Sequence, residues 1–284
     1  MKLDFILPQK NIKLNESKRN PNDEYYTLYE DVREDLEHYK ERFRGKTIYC
    51  PCDDYRWSNF VKYFKDNFHT LGLKTLLASN IDIGDGAYAY KYDGKEETTL
   101  KLVKGDFLTA EVDNLLKACD IIATNPPFSL LRKIFDRIRE AEKDFIIMGP
   151  LIAAGYSNVL PHIVSGRVNV DLKHFKTFSN GKAITNVIWL TTFTPPRHSM
   201  EFTETYNPEK YKRYDRYPDT INIDRSRNIP KDYYGKMGVP LSFIKYLHRE
   251  EFNLLGEVKG AFVEGEEKYR RLLVQRISQS TPPV

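Results

Sequence analysis

Residues 120–129 read Asp-Ile-Ile-Ala-Thr-Asn-Pro-Pro-Phe-Ser, and within them Asn125, Pro126, Pro127 and Phe128 suggest a definite chemistry. The side-chain oxygen of Asn125 and the carbonyl of Pro126 can accept both hydrogens of an exocyclic amine, while Phe128 offers a face to a planar ring. Such a set suits an amino-bearing base. Successive prolines forbid helix and further strand pairing, so the apolar Ile121-Ile122-Ala123 run predicts a short buried strand that ends in a rigid loop. In open α/β sheets, loops at the carboxyl edge of strands bind ligands. The same four residues would also serve as a plain strand-ending turn, because Asn-Pro pairs start turns. The predicted strand before them and the helical Leu130-Leu131-Arg132-Lys133-Ile134-Phe135 run after them favour the functional loop.

Something must hold that loop in place. A chain of 284 residues suffices for one large α/β domain, or for such a domain with a modest appendage. With 44 basic and 40 acidic residues the net charge is only +4, which permits nucleic acid as a partner without requiring it. The 3 cysteines, Cys50, Cys52 and Cys119, include one Cys-x-Cys but no second Cys or His pair, too few ligands for a tetrahedral metal site. No metal is expected. The start shows no secretory signal pattern, and no apolar run is long enough to cross a bilayer, so work in a reducing cytoplasm is expected.

Periodicity gives the order of elements. Leu28, Val32, Leu36 and Tyr39 recur on one face and predict a helix from about 28 to 43, ended by Gly45. A strand over 47–50 breaks at Pro51, and Trp57, Phe60, Val61, Phe64 and Phe68 predict a helix over 58–68. A second strand spans 73–78 and leads through Asp82-Ile83-Gly84-Asp85-Gly86 into a polar, Tyr-containing excursion that returns as an edge strand at 100–103. Helices over 112–117, 132–142 and 159–164 alternate with strands at 121, 145–148, 168–173 and 184–193. That alternation predicts a doubly wound, Rossmann-like sheet.

Beyond Pro195-Pro196 the texture changes. Residues 197–236 interleave Arg197, Lys210, Lys212, Arg213, Arg216, Arg225 and Arg227 with tyrosines and lack clear periodicity. Basic residues among aromatics suit phosphates and bases. A solvated loop is the other reading, since Glu201, Glu204, Glu209, Asp215, Asp219, Asp224 and Asp232 lie among them.

Several blocks occur together in a known order. Asp23-Glu24-Tyr25-Tyr26-Thr27, Tyr49-Cys50-Pro51-Cys52-Asp53-Asp54, Trp57-Ser58-Asn59-Phe60, Asn125-Pro126-Pro127-Phe128-Ser129, Asn228-Ile229-Pro230-Lys231-Asp232-Tyr233 and Met237-Gly238-Val239-Pro240-Leu241-Ser242-Phe243 resemble the EcoRI-type adenine-specific DNA methyltransferases. The resemblance runs from about Asp23 into the 270s, with a strand expected at Glu251-Phe252-Asn253-Leu254-Leu255-Gly256.

That resemblance implies a class I fold and methyl transfer from S-adenosyl-L-methionine to the N6 amine of an adenine in double-stranded DNA. The adenine must be swung out of the duplex, and stacking on a ring such as Phe128 would offset the cost. Direct attack on a sulfonium methyl needs no covalent enzyme intermediate. The resemblance also puts Tyr26 and Thr27 near the methionine end of the cofactor. In such enzymes the turn after the first strand carries Gly-x-Gly; here Pro51, Cys52, Asp53 and Asp54 occupy it, so Asp53 or Asp54 is expected to bind the cofactor by side chain. The acid usual after the second strand is missing, leaving Ser79, Asn80 or Asp82 for the ribose. Gly105-Asp106-Phe107 matches the block whose acid meets the cofactor's adenine amine and whose ring flanks that base.

Motif order places target recognition last. The expected organisation is an N-terminal arm over 1–22, a catalytic domain over 23–194, a DNA target-recognition region over 195–277 packed on it, and a tail over 278–284. A monomer is expected, in a prokaryotic or infected host cell, with a restriction nuclease as a conceivable companion and no obligatory protein partner. Two rivals remain at this stage: an amino methyltransferase for guanine in structured RNA or a protein glutamine, and a catalytically silent DNA-binding relative.

Overall fold

The computed structural model of the chain describes residues 28–172 and 186–278. Tyr26, Thr27, the arm over 1–22 and the tail from 279 lie outside the described residues. Eight strands form the main sheet: β1 (Thr47–Pro51), β2 (Thr75–Ser79), β3 (Ala87–Tyr92), β4 (Glu97–Leu102), β5 (Ile121–Thr124), β6 (Asp144–Pro150), β7 (Asn169–Leu172) and β8 (Val187–Thr191). Their order across the sheet is β4-β3-β2-β1-β5-β6-β8-β7. The central four, β2, β1, β5 and β6, are parallel, while β3 and β8 run antiparallel to their neighbours.

Strands buried on both faces explain the apolar runs seen in the sequence. Ile48, Cys50, Ile121 and Ala123 point to one face, where the helices Tyr29–Glu37 and Asn59–Asp66 bring Val32, Leu36, Phe60, Val61 and Phe64. Tyr49 and Ile122 point to the other, under the helices Asp113–Ala118, Leu131–Glu140 and Leu160–Val164. The sheet is therefore doubly wound. Its strand order reverses between β1 and β5, and a crevice opens outside the carboxyl ends at such a point.

Two sequence-based boundaries shift. The first predicted helix divides into Tyr29–Glu37 and Lys40–Phe43, and the second into Asn59–Asp66 and Phe68–Leu71, closed by left-handed Gly72. A larger correction concerns the polar excursion after β2, which contains a paired strand, β3, hydrogen-bonded along β2 and β4. Here Tyr55 stacks on Tyr90 at 4.8 Å between centroids and 7° between planes, so the tyrosines are packing groups of the strand.

The aperiodic basic stretch is also more regular than its sequence suggests. It holds β9 (Arg213–Tyr214) and β10 (Tyr217–Asn222) and leads to β11 (Lys236–Pro240). With β12 (Phe252–Glu257) and β15 (Arg271–Arg276), beyond the small hairpin of β13 (Phe262–Val263) and β14 (Glu266–Glu267), these build a second sheet of order β12-β15-β11-β10-β9. Ile221, Met237, Val239, Phe252 and Val274 of this sheet share one core with Ile134, Phe145 and Val168 beside the first. The guanidinium of Arg270 donates to the Gly155 carbonyl beyond β6, and Arg249 to the Val164 carbonyl at 3.2 Å.

Two backbone positions of opposite kind flank the site edge. Gly105, with φ 65°, passes so close to β2 that an added Cβ would stand 1.9 Å from the Asn80 carbonyl oxygen. Cys52, with φ 64°, adopts the left-handed conformation without being glycine. Gly105→Ala is therefore expected to destabilise the fold by about 2 kcal/mol or more, and Cys52→Gly to leave stability equal or raise it by about 1 kcal/mol. Thermal unfolding of the two variants beside the parent checks both signs.

Candidate active site at the reversal point of the sheet

β5 stops at Thr124 because neither Pro126 nor Pro127 has an N–H to offer a ladder. Asn125 is half-buried and Pro126 buried, and Phe128 opens a tight helical turn, Phe128–Leu130, that runs into Leu131–Glu140. The loop's exit is fixed by close packing: a Cβ on Gly149 in β6 would stand 2.7 Å from Leu131 Cδ2. Phe128 is half-buried against the core that the first helices share with the sheet. The Asn-Pro-Pro-Phe loop thus lies at the carboxyl edge beside the strand-order reversal, as its sequence predicts.

Register brings the other edge residues to the same level. Tyr49 pairs with Ile122 and Pro51 with Ser79, so the ends of β1, β2 and β5 meet. The Thr124 hydroxyl lies against the Pro51 carbonyl and 2.6 Å from Asp53 Oδ2, while Ser58 Oγ donates to Asp53 Oδ1 at 2.7 Å. Asp53 is buried at 6 % exposure, and both of its carboxylate oxygens meet hydroxyls. Ser58 also caps the helix Asn59–Asp66 by accepting from the Phe60 N–H, which ties the carboxylate to the start of that helix. Asp54, also buried, accepts from the Arg56 side chain through Nε at 2.9 Å and Nη2 at 2.5 Å.

The predicted ribose ligands are already engaged within the chain. Ser79 Oγ and the Tyr49 hydroxyl are 2.6 Å apart, and burial raises the Tyr49 pKa. Asn80 closes the turn into β3 by donating to the Ile81 and Gly86 carbonyls and accepting from the Tyr88 N–H. Asp82 faces solvent, and the N–H groups of Gly84 and Gly86 hold its carboxyl below the usual range.

The Gly105-Asp106-Phe107 turn packs beside these groups. Glu111 accepts from the N–H groups of Val103, Lys104 and Gly105 and so shapes the turn. Half-buried Asp106 accepts the Leu108 N–H on Oδ1 at 2.9 Å, and among the described residues no hydrogen bond reaches its Oδ2. Phe107 differs from the expectation of a flanking ring, because it is only 3 % exposed, 6.1 Å from the Tyr49 ring and under the Arg137 guanidinium. In this structure it is a core residue. Burial pushes the Cys119 thiol up to about 12 and the Cys50 thiol well up, which keeps both protonated.

The structure brings together Asp53, Asp54, Ser79, Asn80, Asp106 and Asn125 on one edge. Sequence reasoning missed Thr124, Ser58, Tyr49 and Glu111, which fix them. Of these, Ser58 carried a readable signal, a serine directly before a helical run. Among the basic residues, Arg197 pairs with Glu251 at 2.6 Å, Lys210 with Glu204 at 2.5 Å and Lys212 with Glu264 at 3.0 Å, while Arg213 donates to the Pro218 carbonyl. Arg216, Arg225 and Arg227 are exposed and carry no ion pair among the described residues.

No group of three or more His, Cys, Asp or Glu side chains placed to hold a metal occurs among the described residues, nor does a helix long and apolar enough to cross a membrane. Comparison with known proteins gives a consistent result. A family profile described as adenine-specific methyltransferase EcoRI matches residues 13–281. The Type II methyltransferase M.EcoRI of Escherichia coli is 33% identical over 92% of this chain and 95% of its own length. The Type II methyltransferase M.MpnI of Mycoplasma pneumoniae is 32% identical over 85% of this chain and 84% of its own. No solved structure matches the chain. A profile that spans nearly the whole sequence, with relatives matched almost end to end, shows that the chain belongs to the EcoRI family of adenine-specific methyltransferases.

Proposed function

We propose that this adenine-specific methyltransferase takes S-adenosyl-L-methionine as methyl donor and modifies the N6 amine of an adenine swung out of double-stranded DNA at a specific site. The observation that carries this reading is the position of Asn125 and Pro126 at the end of β5, level with the carboxylate cluster at the end of β1. When bound, the donor supplies an electrophilic methyl carbon on a sulfonium. The donor's chemistry matches the acceptors on this edge: buried carboxylates suit an ammonium group, and Asp106 Oδ2 suits an adenine amine.

Asn125 Oδ1 and the Pro126 carbonyl would accept the two hydrogens of the target amine and turn its nitrogen toward the edge. Both acceptors are neutral, so they polarise the amine without taking its proton beforehand. Phe128 would bear on the extruded base and offset part of the few kcal/mol that unstacking costs. Arg216, Arg225 and Arg227 would meet phosphates most readily, since they are exposed and have no ion pair to break among the described residues. The Type II methyltransferase names of the relatives support a DNA site as substrate, and the family's adenine specificity disfavours guanine or glutamine.

Incubation with plasmid DNA and labelled donor should yield N6-methyladenine at a fixed set of sequences; unlabelled DNA beside labelled RNA or protein would overturn the reading. Asn125→Ala is expected to lower turnover by about 100-fold or more while donor affinity holds. Asp106→Asn should instead weaken donor binding, by about tenfold on a charge-assisted hydrogen bond, in calorimetric titration. Replacing Arg225 and Arg227 together by Ala should flatten the dependence of log affinity on log salt by about two.

A further inference from the structure

A cavity opens at the seam between the two sheets. Its volume is about 400 Å³, and its walls include Pro150 at the end of β6, Ile152 beyond it, Asn186 before β8, Ser242 after β11, Tyr269 before β15 and Arg271 at the start of β15. β6 lies next to β5 and parallel to it, with Ile147 paired to Thr124. Asn125 is therefore level with Met148, and Pro150 follows two residues further along the same edge of the sheet. The Asn186 carbonyl accepts from the Leu151 N–H at 2.5 Å, which holds that wall in place.

Two of its walls are unusual for a region that only packs. Tyr269 is 67 % exposed and Ile152 39 % exposed, so an aromatic ring and an aliphatic side chain stand open at the rim. Arg271 is the opposite case, at 9 % exposure. Its Nη1 donates to the Tyr269 carbonyl at 2.7 Å, its guanidinium also bonds the Tyr214 side chain, the largely solvent-facing Asp224 carboxylate lies 4.0 Å away, and its buried Nε meets no acceptor among the described residues. Its other partners are neutral, so a guanidinium largely removed from water keeps a positive charge balanced only by Asp224 at 4.0 Å among the described residues, which favours an anion beside it. Adjacent Arg270 is used differently, as the clip to Gly155.

Resting on the DNA-methylation reading above, we propose that this seam cavity is a second nucleotide site: it receives one unstacked nucleotide of the target strand next to the methylated adenine. Its base stacks on Tyr269 and its phosphate lies against Arg271. Extruding an adenine breaks the stack on both sides of it, and a receptacle for the neighbouring nucleotide keeps the strand from closing again.

The test is DNA affinity against salt for the full chain and for Tyr269→Ala, Tyr269→Phe and Arg271→Gln, on plasmid fragments that the parent protein methylates. Tyr269→Ala is expected to weaken binding about tenfold or more, Tyr269→Phe to bind as the parent does, and Arg271→Gln to flatten the salt slope by about one. Donor affinity and melting temperature should not move in Tyr269→Ala. Unchanged DNA binding in Tyr269→Ala would overturn the proposal even where Arg271→Gln fails to fold, because Tyr269 is on the surface. Absence of methylation by the parent protein would instead remove the underlying DNA-methylation reading, so the two failures separate.

Discussion

The meeting of β1 and β5 at one level is the constraint on which the site depends. There the Thr124 hydroxyl has a single proton to share between the Pro51 carbonyl and the Asp53 carboxylate, and Ser58 supplies a second hydroxyl to the same carboxylate. Burying a carboxylate is costly unless it is hydrogen-bonded, and charge-assisted bonds of about 1.5–3 kcal/mol each offset that cost. One buried acid thereby joins three pieces of chain: the turn after β1, the start of the helix Asn59–Asp66, and the residue before the Asn-Pro-Pro-Phe loop. The proposed donor side and the proposed target side of the reaction share that anchor.

The second sheet extends the same edge rather than standing apart. Its apolar face belongs to the core of the main sheet, and Arg270 and Arg249 reach across to carbonyls of Gly155 and Val164. The stretch rich in basic residues therefore has a fixed relation to Asn125. Several of its charges are already balanced, by surface pairs such as Lys210–Glu204 and Lys212–Glu264 that contribute little stability, whereas Arg216, Arg225 and Arg227 carry no ion pair among the described residues.

What was legible in the sequence followed from local signals. Apolar runs bounded by prolines marked β1 and β5, and the two prolines after Asn125 marked where β5 ends. The missed features were those set by residues distant along the chain. β3 takes its stability from pairing with β2 and from the Tyr55–Tyr90 stack, so its Tyr-rich composition next to glycines read as an excursion. The charges of β10 and β11 suited a nucleic-acid contact or a solvated loop and gave no sign of strands, yet Lys236 and Asp219 meet across the two parallel strands at 2.8 Å. Ser79 and Asn80 were candidates by position, but Tyr49 and the β2–β3 turn already use them, and Phe107 lies in the core. The turn that lacks Gly-x-Gly nonetheless reaches left-handed backbone at Cys52.

The most direct measurement of the central claim is a crystal structure of the chain with S-adenosylhomocysteine and a short duplex that it methylates. The account expects the ligand to lie across the carboxyl ends of β1 and β5, with its adenine amine on Asp106 and an extruded adenine whose N6 meets Asn125 Oδ1 and the Pro126 carbonyl. A ligand bound away from that edge, or an adenine held by other groups with Asn125 turned into the core, would contradict it.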